Sequence, residues 1–234
     1  MAAVACGRGT QKLQVSEIMV AWPSIQWNDP LLLALTVLAG KGGRSPYRVA
    51  IVNEEGKVKG VLSGRRILEV LLGRRGTSIR DRKGLKGLLR EPVSLFADEA
   101  RHLFLEDAPL HAVLQYMAEN SVGQVIVVDE AGMLKGAVDE LAILCKLRGK
   151  RLGVRVGDLM TKGVYTIHPN VTLLDAANIM VDLRVRRLVA KVGDSVAGVV
   201  TITDILNYVL REEKQIDLLL YDVSVEDALK RRVG

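Results

Sequence analysis

The chain has 234 residues, 49% of them hydrophobic and 26% charged, which supplies a core for one large or two ordinary domains and excludes a disordered chain. Aromatics are only 4%, so the core is aliphatic, and stacking platforms for single-stranded nucleic acid are scarce. The net charge of +6 is modest at this length and suits anionic small molecules as well as nucleic acid.

The opening "MAAVACGRGTQKLQ" lacks the apolar stretch of a secretory leader. The apolar run "PLLLALTVLAG" that follows is about half the length of a bilayer span, so a cytoplasmic protein with no membrane association is expected. Cys6 and Cys145 are far apart, and His102, His111 and His168 share no ligand spacing, so neither a disulfide framework nor a metal site is expected.

From "VSEIMV" onward the same order of features appears three times. The first pass has an extended piece at 23–26, then Asp29 and Pro30 opening an apolar helical pattern. "YRVAIVNEEGKVKGVLSGRRILEVLLG" follows as strand, turn, strand and a helix from about Arg65. The glycine-rich "AGKGGRS" between these pieces lacks P-loop spacing and reads as a flexible connection. The second pass is "HLFLEDAPLHAVLQYMAEN" with "GQVIVVDEAGMLKGAVDELAILCKL", and the third is "VYTIHPNVTLLDAANIMVDL" with "RRLVAKVGDSVAGVVTITDILNYVL". Gly60, Gly136 and Gly198 each stand four places after a turn residue, Gly56, Gly132 or Asp194, so the register holds across all three.

Each repeat is therefore strand, helix, strand, strand, helix, an α+β arrangement of helices against a small sheet. The expected divisions are repeats at 12–73, 93–147 and 153–211, a basic connector at 74–92, and a tail at 212–234. A unit of about 60 residues buries too little alone, so the repeats are expected to pack in pairs and to leave ligand clefts at strand ends. The segment "GRRGTSIRDRKGLKGLLREPV", residues 73–93, reads as a solvated connector or as an anion patch using Arg74, Arg75, Arg80, Arg82 and Lys83. In the tail, Val223, Ser224, Asp227 and Ala228 echo Val171, Thr172, Asp175 and Ala176, as either a capped amphipathic helix or the start of a fourth repeat.

In "GVVTITDIL" a strand runs into Thr201 and, three places on, Asp204. That spacing fits a capping box, in which the two side chains satisfy orphan amides at a helix start. It also fits a hydroxyl and a carboxylate at the carboxyl end of a strand, holding the two hydroxyls of a ribose.

With these motifs the chain resembles the CBS-domain family, whose modules pair into Bateman modules and commonly bind adenosine-containing ligands. The resemblance runs from about Val15 to Leu210 and is sharpest in the third repeat. It implies a ribose site at the closing Gly-h-h-[Ser/Thr]-x-x-Asp element, with h an apolar residue, matched by Gly198, Thr201 and Asp204. The strand at 164–167 would offer backbone groups to the adenine edge, with Val164, Thr166 and Ile167 walling the base. Arg186 and Arg187 stand where a basic residue of the family meets phosphate.

The other two repeats depart from that pattern. The first keeps Ser63 but has Arg66 at the acid's place, so a second, anion-binding site of Ser24, Ile25, Arg48, Ser63 and Arg66 is expected there at most. The second has Asp139 and Ala142 at those places, and Gln124 where Arg48 and Arg187 stand, so a structural role is expected.

Three repeats leave the third without a full partner, which predicts a homodimer in which two third repeats meet across a two-fold axis. The expected function is regulatory sensing of AMP, ADP, ATP or S-adenosylmethionine as a small-molecule ligand, with no cofactor, no catalysis and a regulated protein partner. The repeats consume most of the chain, and no nucleophile–base pair stands out. The alternative is nucleic-acid binding through the basic 73–93 segment.

Overall fold

A computed structural model describes residues 13–40, 46–146, 153 and 155–211. The expected tail at 212–234 and most of "AGKGGRS" lie outside the described residues.

The first repeat contributes β1 (Ser24–Gln26), α1 (Leu31–Leu38), β2 (Arg48–Val52), β3 (Val58–Ser63) and α2 (Gly64–Leu71). Next come α3 (Thr77–Leu89) and β4 (Asp98–Glu99). The second repeat supplies β5 (Leu103–Leu105), α4 (Leu110–Glu119), β6 (Gln124–Val128), β7 (Leu134–Asp139) and α5 (Glu140–Lys146). After α6 (Val156–Leu159), the third has β8 (Thr166–Ile167), α7 (Leu173–Asp182), β9 (Arg187–Val192), β10 (Ser195–Thr201) and α8 (Ile202–Arg211). The strands form three sheets, ordered β1-β2-β3-β4, β5-β6-β7 and β10-β9-β8. In every repeat the short opening strand runs parallel to the first hairpin strand. The α+β order expected from the sequence is thus present three times.

Local chemistry explains the recurring shape. Gly40, Ser121 and Arg184 all have positive φ and stand two places beyond the ends of α1, α4 and α7, where a left-handed residue stops the helix and turns the chain toward the next strand. The first two hairpins turn at Gly56 and Gly132, both at positive φ. The third is tighter: β9 and β10 are joined by Gly193 and the expected turn residue Asp194, with the positive φ on Gly193. Gly136 has a different reason, because a Cβ there would lie 2.6 Å from the Val20 carbonyl oxygen. Val20 and Ala137 exchange backbone hydrogen bonds at 2.9 and 3.0 Å, so strand β7 needs a residue without a side chain beside them.

The chain divides into two compact units, and the first repeat contributes to both. One unit, Met1–Trp27, Ala50–Val61 and Asp98–Leu152, is built around β6. Alternation along that strand sends Val125 and Val127 to a cluster with Val15, Ile18, Leu110, Val113 and Met117. Ile126 and Val128 face the other way, into a cluster with Ala50, Ala137, Val58, Val61, Leu134 and Trp22. Both faces of β6 are buried, which is why its sequence is apolar at consecutive positions.

The other unit takes in the described residues of 28–49, 62–97 and 153–211 and carries a helical layer in which α8 packs on α1, α2 and α7. Leu31, Leu35, Leu38, Ile67, Leu68, Leu71, Met180, Ile205 and Leu206 fill it. The approach of α2 to α8 is close: a Cβ on Gly64 would meet Ile202 Cγ2 at 2.9 Å. Residues expected as a solvated connector belong to this unit as helix α3, whose Leu85, Leu88 and Leu89 are buried. Gly84, at φ 65° and ψ −179°, kinks that helix and turns the three leucines inward.

Candidate functional site

The third repeat ends its sheet at Thr201, and α8 starts at the next residue. The Thr201 hydroxyl donates to Asp204 Oδ2 at 2.8 Å and accepts from the Asp204 backbone N–H at 3.2 Å. The Thr201 N–H donates to the same carboxylate oxygen at 2.9 Å. This is a reciprocal capping box, so the structural half of the two sequence readings is realised. It does not exhaust the chemistry. A hydroxyl can both donate and accept, and a carboxylate is an acceptor-only group with two oxygens.

The neighbours of this pair follow from register. Thr201 pairs with Arg187, Val199 with Val189, and Val196 with Lys191, while Thr166 pairs with Val189 across the parallel edge. Paired residues project from the same face of a sheet, so Thr166, Arg187, Val189, Val199 and Thr201 share one face. Val164, two residues before Thr166, precedes the strand on that same side. Ile167, Leu188, Ala190 and Val200 point to the opposite face and are buried. Of the residues expected to wall the base, Ile167 therefore has its side chain in the core and leaves only its backbone for the site. Val164 and Thr166 are exposed, as is Arg187.

Arg186 is held differently. Its guanidinium carbon lies 4.4 Å from the centroid of the Tyr47 ring, and its carbonyl accepts from the N–H of Ile202 at 3.1 Å. It anchors the start of α8 rather than standing beside Thr201 and Arg187.

The other repeats make the same strand-to-helix turn with different fourth residues. Ser63 Oγ accepts from the Arg66 N–H at 3.2 Å, and Asp139 Oδ1 accepts from the Ala142 N–H at 2.9 Å. In the first repeat the Arg66 guanidinium pairs with Glu69, whose carboxylate also takes Arg75 Nε at 3.3 Å. The positive cluster expected there is thus partly neutralised by Glu69. Arg48, half-buried, lies with Ser63 and Arg66 in one compact unit, whereas Ser24 and Ile25, exposed and buried respectively, belong to the other. In the second repeat Gln124 and Asp139 face each other in register at 1% and 3% exposure. That pair is sealed in the core, and both amide atoms of Gln124 lack a hydrogen-bond partner.

The basic segment is engaged with its own chain. Arg74 pairs with Asp182 and donates to Asn178 Oδ1 at 2.7 Å, which holds the Asp182 carboxyl below its usual range. Arg75 takes Glu69, Arg80 donates to the Leu71 carbonyl at 3.0 Å, Arg82 to the Ser78 carbonyl at 3.0 Å, and Lys83 pairs with Glu91. All five cations named for a nucleic-acid strip have intramolecular partners. The partner of Arg74 is 108 residues away, beyond any local pattern, whereas the other four cations find theirs within nine residues in the chain.

Among the described residues no helix is long and apolar enough to cross a membrane. The family described as CBS domain matches residues 102–149 and 156–211, the second and third repeats. A 33.4 kDa protein in the ribosomal RNA operon of Thermofilum pendens is 29% identical over 206 residues, 86% of this chain and 68% of that one. Protein MJ1404 of Methanocaldococcus jannaschii is 24% identical over 241 residues; the match takes in 94% of this chain and 54% of that protein, so this chain spans about half of it. The crystal structure of protein MJ1225 from Methanocaldococcus jannaschii superposes with a TM-score of 0.81 at 20% identity, covering 92% of this chain and 81% of that one. That likeness is one of fold.

Proposed function

Because this chain is a CBS-domain protein, we propose that it is a regulatory module whose third repeat binds an adenosine-containing ligand, AMP, ADP, ATP or S-adenosylmethionine. The observation that carries this reading is a comparison internal to the chain. All three repeats turn from strand to helix with a capping side chain, but the residue three places on is Arg66, Ala142 or Asp204. An acid is not needed to make the turn, and the third repeat alone sets one beside a hydroxyl and opposite an exposed arginine. A hydroxyl and a carboxylate suit the 2′ and 3′ oxygens of ribose, and Arg187 suits a phosphate.

The ligand acts by binding two arrangements of the paired repeats unequally, which is the whole thermodynamic requirement of a sensor. A homodimer, a regulated protein partner, a cytoplasmic setting and the absence of catalysis belong to the same proposal. Titration calorimetry of the purified chain with each of the four ligands tests it, and no heat with any of them removes the reading. A gel shift at two salt concentrations tests the nucleic-acid alternative, which predicts binding that survives Asp204→Ala.

A further inference from the structure

Arg186 is the residue before β9, and the same place is held by Tyr47 before β2 and Gly123 before β6. The backbone carbonyl at this place pins a helix start in two of the repeats. It accepts from the Ile202 N–H at 3.1 Å in the third and from the Glu140 N–H at 3.2 Å in the second, where Ile202 and Glu140 open α8 and α5. In the second repeat the residue is a glycine and nothing extends beyond the backbone. In the third it carries a guanidinium that reaches into the first repeat, 4.4 Å from the centroid of the Tyr47 ring.

Arg186 and Tyr47 are thus equivalent residues of two repeats, in contact within one compact unit. Gly64 and Ile202, the first residues of α2 and α8, are a second such pair. A Cβ on Gly64 would meet Ile202 Cγ2 at 2.9 Å, so the first repeat bounds that side of Ile202 without slack. The start of α8 is therefore located twice by the first repeat: Gly64 abuts the Ile202 side chain, and Tyr47 holds the residue that pins the Ile202 N–H.

Thr201 immediately precedes Ile202, and Asp204 follows it by two residues. On the adenosine reading above, we infer that Arg186 is a positioning residue, held by Tyr47, which sets the affinity of the third repeat for its ligand without touching that ligand. Arg187 is in register with Thr201 on the ligand face, and its neighbour Arg186 projects the other way, to Tyr47.

Clasping two ribose hydroxyls requires the Thr201 hydroxyl and the Asp204 carboxylate to stand within about 0.5 Å of their productive places. Helix ends fray, and both groups sit at one. Releasing the guanidinium from the ring loosens the carbonyl that holds Ile202, so the fraction of chains with a competent clasp falls and the apparent affinity falls with it. Coupling is reciprocal. A bound ligand tightens the Arg186–Tyr47 contact by the same factor, and the first repeat thereby registers occupancy of the third.

The test is titration calorimetry of the full chain with AMP, ADP, ATP, S-adenosylmethionine and adenosine, which has no phosphate. Wild type is compared with Tyr47→Leu, Tyr47→Phe, Arg186→Gln, and the Leu and Gln changes combined, each checked for folding by circular dichroism and its unfolding midpoint. Tyr47→Leu and Arg186→Gln are each expected to weaken every ligand that wild type binds by about two- to fivefold, adenosine included, the size of one exposed cation–π contact. The combined variant loses no more than either single one, and Tyr47→Phe, which keeps the ring face, binds as wild type does. A loss of less than about twofold in Tyr47→Leu overturns the positioning role. So do losses that add in the combined variant. An Arg186→Gln loss confined to phosphorylated ligands overturns it as well, by putting the guanidinium on the phosphate itself. A wild-type chain that binds none of the five overturns the adenosine reading and the positioning role with it.

Discussion

Replacing Asp204 separates its two roles, because alanine and asparagine remove different parts of what the carboxylate does. Asp204→Ala deletes the acceptor for the Thr201 N–H at 2.9 Å and the Thr201 hydroxyl at 2.8 Å, while the hydroxyl can still cap α8. Losing one half of a capping box at a half-buried site costs about 1 kcal/mol, or roughly 2–4 °C in midpoint for a chain of this size. Two ribose hydroxyls donating to a carboxylate contribute about 1.5 kcal/mol each, so nucleoside affinity falls about a hundredfold. Asp204→Asn keeps an amide oxygen for the Thr201 N–H, so stability stays within about 0.5 kcal/mol of wild type, but one charged acceptor is lost and affinity drops about tenfold. Differential scanning fluorimetry reads the first effect and calorimetry with AMP the second. Inorganic phosphate, which lacks the sugar, serves as the control whose affinity stays put. Unchanged AMP affinity in Asp204→Asn, beside a lowered midpoint in Asp204→Ala, would make the acid a cap and nothing more.

Gly136→Ala drives a Cβ to 2.6 Å from the Val20 carbonyl oxygen and breaks the Val20–Ala137 hydrogen-bond pair, a loss of about 1–3 kcal/mol that urea titration detects. Arg184→Gly relieves a left-handed residue at φ 55°, and chemical denaturation is expected to show a gain of about 0.5–1 kcal/mol; a loss would mean that the side chain holds the turn. The Asp182 carboxyl is lowered chiefly by its hydrogen bond from Arg74, against an opposing effect of desolvation, and the charge of Arg74 adds a lesser lowering. A depressed carboxylate stabilises the fold above its unfolded value and loses that contribution as pH falls through the folded one, so the urea midpoint of wild type declines on acidification below the ordinary carboxylate range more steeply than that of Arg74→Ala. Equal slopes would show that the pair forms no better than its exposed setting suggests.

The threefold repeat was legible because each element carries its own local signal: apolar alternation for the hairpins, a turn glycine, and a hydroxyl or acid before a helix. Helix α3 hid behind its charges and its glycines. Leu85, Leu88 and Leu89 hold helical spacing, but Gly84 and Gly87 lower helix propensity, and the partner of Arg74 is 108 residues away. Tertiary pairing of this kind leaves no periodic trace. The same limit explains Gln124, whose polarity reads as exposure although it is sealed in the core.

The site is a harder case, because cap and clasp ask for one spacing. A hydroxyl that accepts the third amide of a helix and an acid that reaches back to the first are also two oxygen groups side by side at a strand's carboxyl end. No pattern within four residues distinguishes them, and the hydrogen bonds between Thr201 and Asp204 are those of the cap. The distinction comes from the copies. In the first and second repeats Ser63 and Asp139 cap their helices with Arg66 and Ala142 three places on, so the turn forms without an acid there, and the acid of the third repeat adds a second half to the cap. Arg187 follows the same logic: its counterpart Gln124 is sealed in the core, whereas Arg187 sits exposed in register with Thr201. A residue that the architecture does without twice, and that appears where its neighbours are open to solvent, is the one whose replacement tests the proposed ligand reading most directly.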